Sequence, residues 1–167
     1  MTHSQAKTLV EGKDKSVLVL GDIVTILLTG KETNQKYALV EIISQAGGGV
    51  SFLHTHPASE TFQVLEGEYE FYGQDAAGNK YAIPAPVGKV VYIPGGSAHG
   101  FRNVGQAAGK VWAIFEPVGN MELFFEEIGL PVEDKNKPLL LEGPPDLEKY
   151  MPIFEKYEIK FIEMPPA

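Results

Sequence analysis

The sequence predicts an all-β protein, for three reasons. Short runs rich in Val, Ile, Tyr and Phe follow one another from residue 16 to residue 117 and have the length and composition of strands. Clusters of Gly, Asn, Asp and Pro, such as GKETNQK and GQDAAGNK, separate these runs and are typical of hairpin turns. A helical period is almost absent from this region. Together these features predict a sandwich or a barrel, with a double-sheet jelly roll among the options.

Turn residues bound each predicted strand. Gly67, in LEGEY, predicts a tight hairpin turn that needs a positive φ. In IPGGSAHG, Pro94 ends a strand and the two glycines after it let the chain bend, so that His99 begins the next strand. In chain order, the predicted strands are SVLVL, DIVTILLTG, KYALVEII, VSFLHTH, ETFQVLEGEYEFYG, KYAIPAP, KVVYIP, AHGFRNV and KVWAIFEP.

The last fifty residues carry helical patterns. Asn120 is a candidate N-cap and Gly129 a candidate stop for a helix in NMELFFEEIG. A second pattern lies in PPDLEKYMPIFEKYEIKF, where Pro152 is expected to kink or break the helix. The sequence therefore predicts a short, partly helical C-terminal extension.

The length predicts a single domain. A chain of 167 residues can build one hydrophobic core and is too short for two ordinary domains. The predicted organisation is a polar tail over residues 1–15, a barrel over residues 16–117, and an extension over residues 118–167. This extension is expected to pack on the barrel or on a second subunit.

Composition excludes several classes of function. The net charge of -8 argues against a nucleic-acid partner, because neutralising phosphates requires clustered Lys and Arg. No apolar stretch approaches the roughly 20 residues of a membrane helix, and the N-terminus lacks the apolar region of a signal peptide, so a soluble, cytoplasmic protein is expected. The absence of cysteine excludes disulfides, thiolate metal sites and cysteine nucleophiles. Any metal ion must be held by nitrogen and oxygen.

Three of the four histidines form a pattern that suggests a metal site. His54 and His56 are two residues apart, so both point to one face of a strand, and Glu60 begins the next predicted strand. Burying these groups among apolar residues is costly unless a partner satisfies them, and a divalent metal ion would do so. His99 offers a third imidazole. The alternatives are hydrogen-bonded core histidines and a Glu60 that lies on the surface.

Two stretches of the sequence resemble the two sequence motifs of the cupins. The first reads G-x5-HTH-x3-E-x6-G from Gly48 to Gly67, and the second reads G-x5-PGG-x2-H-x3-N from Gly88 to Asn103. The wider sequence is similar to single-domain cupins grouped with quercetin 2,3-dioxygenase. One departure is that no second acidic residue stands next to the ligand glutamate, as it often does in that group. The resemblance implies a small jelly-roll barrel with a metal site.

By this resemblance, one divalent transition metal is held by His54, His56, Glu60 and His99. Three imidazoles and a carboxylate suit Fe, Mn, Ni, Co, Cu or Zn, and the donor types do not choose among them. Four protein ligands leave one or two positions for a substrate, water or dioxygen. Glu60 is also the candidate catalytic residue, because the resemblance to quercetinases implies that its carboxylate accepts a proton from a substrate hydroxyl.

A substrate cavity is expected beside the metal. The alternation of side chains along strands nominates six aromatic residues for its lining, and for each of them packing in the barrel core is the alternative. If His99 and Phe101 face inward, Arg102 faces outward, which leaves the interior without a guanidinium for a phosphate or a small dicarboxylate. The nominated residues are Phe52, Phe62, Tyr69, Phe71, Phe101 and Phe115.

The sequence therefore predicts a metal-dependent cupin, and the first hypothesis is a dioxygenase that acts on a small planar enol or phenol, such as a flavonol. The alternatives are a non-catalytic cupin that binds a small molecule or a metal, and a metal-dependent lyase or isomerase. The expected partner is an apolar or aromatic small molecule, with no nucleic acid and no membrane. A homodimer is also expected, because exposed edge strands and an aromatic C-terminal extension can pair two barrels.

Overall fold

The computed structural model describes residues 16–135 and 146–162, together with Ala6 and Leu9. Within these residues the chain forms twelve strands and two short helices, which confirms the predicted all-β jelly roll. The strands are β1 (Ser16–Val19), β2 (Asp22–Leu28), β3 (Ala38–Ser44), β4 (His54–Thr55), β5 (Ser59–Glu66), β6 (Glu68–Gln74), β7 (Lys80–Pro86), β8 (Val90–Ile93), β9 (His99–Asn103), β10 (Gly109–Glu116), β11 (Leu130–Pro131) and β12 (Lys160–Phe161). The helices are α1 (Met121–Ile128) and α2 (Leu147–Lys156).

The strands form two antiparallel sheets. One sheet has the strand order β11-β1-β2-β3-β10-β5-β8, and the other has the order β12-β4-β9-β6-β7. Their inner faces pack on each other: the ring of Phe62 in β5 lies 4.9 Å from Phe71 in β6 and 5.5 Å from Phe101 in β9, measured between centroids. The hydrophobic core therefore fills the space between the two sheets.

Alternation along the strands explains which residues enter this core. In β5, β6 and β10 every second side chain is buried, as expected for strands with one face on a core. Most of the predicted strand runs are strands in the structure. The run VSFLHTH is an exception, because only His54–Thr55 is regular strand. Before it, the carbonyls of Gly48 and Val50 accept isolated hydrogen bonds from Asn103 and Phe101.

The turn at Gly67 differs from the prediction. Its φ is 84°, so the expected positive φ is confirmed. The predicted hairpin is wrong, because β5 and β6 belong to different sheets and do not pair with each other. The chain bends at Gly67 and passes from one sheet to the other. A Cβ at this position would lie 2.9 Å from the Cα of Gly109, which also favours glycine.

Both predicted helices are present. In α1, Asn120 precedes the helix and Gly129 follows it as expected, but the side chain of Asn120 makes no capping hydrogen bond. Helix α2 continues through Pro152 to Lys156, so the proline does not break it. The two helices pack together, with the rings of Phe124 and Phe154 5.8 Å apart. Among the described residues, neither helix is long and apolar enough to cross a membrane.

Candidate metal centre

The four candidate ligands meet although they come from separate segments. His54 begins β4 and lies directly opposite His99, the first residue of β9, in the five-stranded sheet. Glu60 comes from β5 of the seven-stranded sheet, where Phe115 of β10 is its partner. His56 lies in the short connection between β4 and β5. The cluster therefore spans the space between the two sheets.

Glycines let the segment that carries His99 approach the segment that carries the other histidines. The backbone N–H of Gly96 donates to the carbonyl of His56 at 2.8 Å. A Cβ on Gly95 would lie 2.2 Å from the carbonyl oxygen of Pro57, a distance that no side chain tolerates. The close approach of two backbones therefore requires glycine at Gly95, and a φ of 78° favours glycine at Gly96.

The ligand atoms are close together and shielded from solvent. The ligand nitrogens of His54, His56 and His99 all lie within 4.8 Å of one another. Glu60 Oε2 lies 2.8 Å from His99 Nε2 and 3.4 Å from His56 Nε2. His56 and His99 are each 3% exposed, and Glu60 is 5% exposed. Such a cluster is costly to bury without a bound partner.

The protonation states of His54 and Glu60 suit metal binding. Burial, reinforced by the neighbouring His99, lowers the pKa of His54 to about 3. Burial alone would raise the pKa of Glu60, but its close contacts with His56 and His99 outweigh this effect and hold the pKa well below its usual range. Burial alone would lower the pKa of His99, but the adjacent Glu60 carboxylate stabilises the protonated ring, and the pKa is raised as a result. A neutral His54 and an ionised Glu60 are the forms that bind a metal.

Backbone carbonyls orient two of the imidazoles. The Nδ1 atom of His54 lies 3.2 Å from the carbonyl oxygen of Phe52, and that of His99 lies 2.8 Å from the carbonyl oxygen of Ser97. In the neutral ring each Nδ1 then carries the proton, and each Nε2 keeps a free lone pair. The buried Nε2 of His99 makes no hydrogen bond, despite its short distance to Glu60. The donor set therefore fits a divalent transition metal.

The cluster forms part of the wall of a cavity with an empty volume of about 660 Å³, open mouth included. Of the six aromatic residues nominated from the sequence, Phe101 and Phe115 line this cavity. Phe52 lies outside it, beside a separate surface groove. The other three are 1% exposed and belong to the core instead of the cavity wall: Phe62, Tyr69 and Phe71.

The part of the cavity wall that the structure describes is largely apolar. Neither Lys nor Arg is among the described residues that line it. Arg102 is exposed, as its alternation with Phe101 predicts, and its Nε donates to the carbonyl of Gly47 at 3.2 Å. Apart from the four candidate ligands, Asp22 is the only ionisable residue in the described lining. The remaining lining residues are aliphatic or aromatic, so the cavity favours an uncharged ligand.

The C-terminal segment, which here means residues 118–135 and 146–162, supplies much of the cavity wall. Strand β12 pairs with β4, which places Phe161 opposite His54. Helices α1 and α2 are joined at the surface, because the Glu127 carboxylate accepts hydrogen bonds from Lys156 Nζ and from the Tyr157 hydroxyl. The lining residues from this part of the chain are Met121, Phe124, Phe125, Phe154, Ile159 and Phe161.

Comparison with known families agrees with this architecture. Residues 41–115 match the family described as Cupin domain, and this range contains both sequence motifs and all four candidate ligands. The match covers 75 of the 167 residues, which is just under half of the chain. No curated protein matches the sequence significantly.

Several solved structures resemble the chain in fold. A recombinant oxalate oxidase in complex with glycolate is 22% identical, with a TM-score of 0.54, over 67% of this chain and 58% of its own. A variant of Bacillus subtilis oxalate decarboxylase is 18% identical, with a TM-score of 0.56, over 68% of this chain and 30% of its own. The chain thus spans less than two thirds of either protein. At these identities the likeness shows the fold alone, and the similarity to the quercetin 2,3-dioxygenase group stays a prediction.

Asp22 is a polar lining residue that the sequence analysis did not predict. A signal for it was present in the alternation of β2, because Asp22 and Val24 are two residues apart and both line the cavity. For the lining residues of the C-terminal segment, no comparable signal exists, since their approach to His54 depends on the path of the whole chain.

Proposed function

We propose that the protein is a metal-dependent oxygenase that acts on a small, uncharged, planar enol or phenol, such as a flavonol. The observation that supports this proposal is the composition of the cavity. Three imidazoles and one carboxylate lie in its wall, aromatic and aliphatic side chains form most of the rest, and no Lys or Arg lines it among the described residues. A flat ligand would bury its rings against these apolar groups and present its oxygen atoms to the ion.

The residues that would hold the metal are His54, His56, Glu60 and His99. When bound, a redox-active transition metal would supply positions for the oxygen donors of the substrate and for dioxygen. The protein's contribution is to keep the nitrogen donors in place. The carbonyls of Phe52 and Ser97 contact the Nδ1 atoms of two imidazoles and thereby direct their Nε2 atoms toward the centre.

Glu60 is the proposed proton acceptor. Its carboxylate lies in the cavity wall, and its contacts with His56 and His99 keep it ionised. A substrate hydroxyl within hydrogen-bonding reach of this carboxylate can transfer its proton to Glu60 Oε2. The resulting enolate or phenolate is more electron-rich than the neutral hydroxyl compound, and therefore easier to oxidise.

The C-terminal segment is proposed to keep water away from the reaction. Phe124 of α1, Phe154 of α2 and Phe161 of β12 line the cavity on the side formed by this segment. Apolar groups around a metal and a carboxylate lower the local dielectric and so strengthen their interactions with the substrate.

The test is an oxygen-uptake assay. Metal-free protein is reconstituted separately with Fe, Mn, Ni, Co and Cu and given flavonols, catechols or β-diketones. We expect uptake with at least one combination, and Glu60→Gln should slow it by orders of magnitude without unfolding the protein. Glu66→Gln is the matched control, because Glu66 lies at the other end of β5 with a side chain that is 63% exposed.

Other outcomes would replace the proposal. Product formation under nitrogen would indicate a lyase or isomerase. Binding of these compounds without turnover would indicate a non-catalytic cupin. Oxygen uptake with oxalate, and with none of the uncharged compounds, would contradict the proposed substrate class.

A further inference from the structure

Asp22 is a buried carboxyl group in the cavity that the proposed metal centre does not use. It begins β2, is 4% exposed, and lines the same cavity as His54 and Glu60. Its Oδ1 atom is buried and has no hydrogen-bond partner. Buried carboxylate oxygens are nearly always hydrogen-bonded in folded proteins, so this atom lacks a partner that a ligand could supply.

A turn with an unusual backbone presents Asp22 to the cavity. Val19 and Asp22 are paired across the two-residue connection between β1 and β2. The two residues of this connection, Leu20 and Gly21, have φ values of 52° and 103°. Glycine adopts such values freely, but leucine rarely does. The side chains of both Leu20 and Asp22 line the cavity, so the strained turn contributes two residues to its wall.

The groups around Asp22 offset only part of the free-energy cost of burying its carboxylate. Burial raises the pKa of Asp22 to about 7, and interactions with the Ser44 side chain and the Gly49 backbone offset only part of the effect. Ser44 Oγ and the Tyr69 hydroxyl, which lie beside Asp22 and beside each other, are also buried and have no partner at hydrogen-bonding geometry. Unsatisfied polar atoms destabilise the fold, so stability does not explain this cluster.

We propose that Asp22 is a second ligand-binding group of the cavity, which hydrogen-bonds a hydroxyl group of the ligand at a point away from the metal centre. A hydroxyl suits this position because it can donate to an ionised carboxylate and accept from a protonated carboxyl group. The other lining residues from this region, Val19, Val24 and Ile42, are apolar and suit the ring that carries the hydroxyl.

The inference narrows the substrate class. The ligand would have chelating oxygen atoms at one end and at least one further hydroxyl group on a distal ring. This inference rests on the proposed function in one respect, because it assigns the chelating end of the ligand to the metal centre. The role of Asp22 itself rests on the cavity and on the unpartnered Oδ1 atom.

The experiment compares binding of matched probes without turnover. The protein is loaded with zinc, which has no redox chemistry, and titrated under nitrogen. The probes are 3-hydroxyflavone, the derivative with one further hydroxyl on its distal ring, and the derivative with an aminomethyl group at that position. The variants are Asp22→Leu, which removes the polar group, and Asp22→Asn, which keeps a donor and an acceptor. Asp75→Asn is the control, because its exposed carboxylate lies in the turn between β6 and β7.

We expect the wild-type protein to bind the further hydroxylated probe about tenfold or more tightly than 3-hydroxyflavone, as for a hydrogen bond to a charged group. Asp22→Leu should abolish this preference, Asp22→Asn should keep part of it, and Asp75→Asn should leave it unchanged. Circular dichroism checks that each variant is folded. Equal affinities for the two probes, a preference that persists in Asp22→Leu, or a stronger preference for the aminomethyl probe would overturn the inference.

The outcomes separate this inference from the proposed function. A preference that depends on Asp22, together with no oxygen uptake by protein loaded with redox-active metals, would support the subsite and refute the oxygenase. Oxygen uptake together with a probe preference that does not depend on Asp22 would support the oxygenase and refute the subsite. Failure of every probe to bind the wild-type protein would refute the subsite, and the oxygen-uptake panel would then decide separately on the oxygenase.

Discussion

Replacing Asp22 by Asn should stabilise the protein at and above neutral pH. The folded protein raises the pKa of this carboxyl group from 3.8 to about 7, mainly by burial. The folded state therefore binds the proton more tightly than the unfolded chain, and the free energy of unfolding falls as the pH rises from about 4 to about 7. Each pKa unit corresponds to about 1.4 kcal/mol, so a shift of about three units costs up to roughly 4 kcal/mol. Asn cannot ionise and avoids this cost.

Urea unfolding of the metal-free protein, followed by Trp112 fluorescence between pH 4 and pH 8, measures this difference. Near pH 4 the wild-type protein and Asp22→Asn should differ little, since Asp22 is protonated in the folded state. At pH 8 the variant should be more stable by several kcal/mol. Other titrating groups, including His99 and Glu60, contribute to both proteins and cancel when the curves are subtracted. A difference that does not change with pH, or a wild-type protein that is the more stable at pH 8, would refute this reasoning.

Three further predictions concern the metal, the fold and assembly. His99→Ala should weaken metal binding by more than about 100-fold in calorimetry, and an unchanged affinity would remove His99 from the site. Asn103→Ala should lower the free energy of unfolding by roughly 3 kcal/mol in urea, because the Asn103 amide donates to the carbonyls of Ser44, Gln45 and Ala107. Light scattering should give twice the mass of the chain, and a monomer at micromolar concentration would contradict the expected homodimer.

Local patterns in the sequence were sufficient to predict most of the strands, and they nominated the candidate ligands that the structure brings close together. Strand alternation depends on backbone geometry alone, so β5, β6 and β10 could be read from apolar residues at every second position. The positive φ of Gly67 and of Gly96 is also a local requirement, because it depends on the backbone of the turn itself.

The cavity was harder to predict than the ligands. A buried aromatic side chain looks the same in sequence whether it faces a cavity or packs in a core. Phe62 and Phe101 illustrate this, since both face inward and only Phe101 lines the cavity. The volume left between the sheets decides which of them a ligand can reach, and that volume depends on the packing of all the side chains together.

The sequence by itself determined which faces of the strands are apolar, where the chain can turn, and which residue types are available to hold a metal. These properties follow from side-chain chemistry and from backbone geometry over a few residues. Only the tertiary structure decided that the chain bends from one sheet to the other at Gly67, that β12 pairs beside His54, and that Asp22 shares a cavity with Glu60. Each of these features depends on residues that are distant in sequence, and they form together when the whole core is buried.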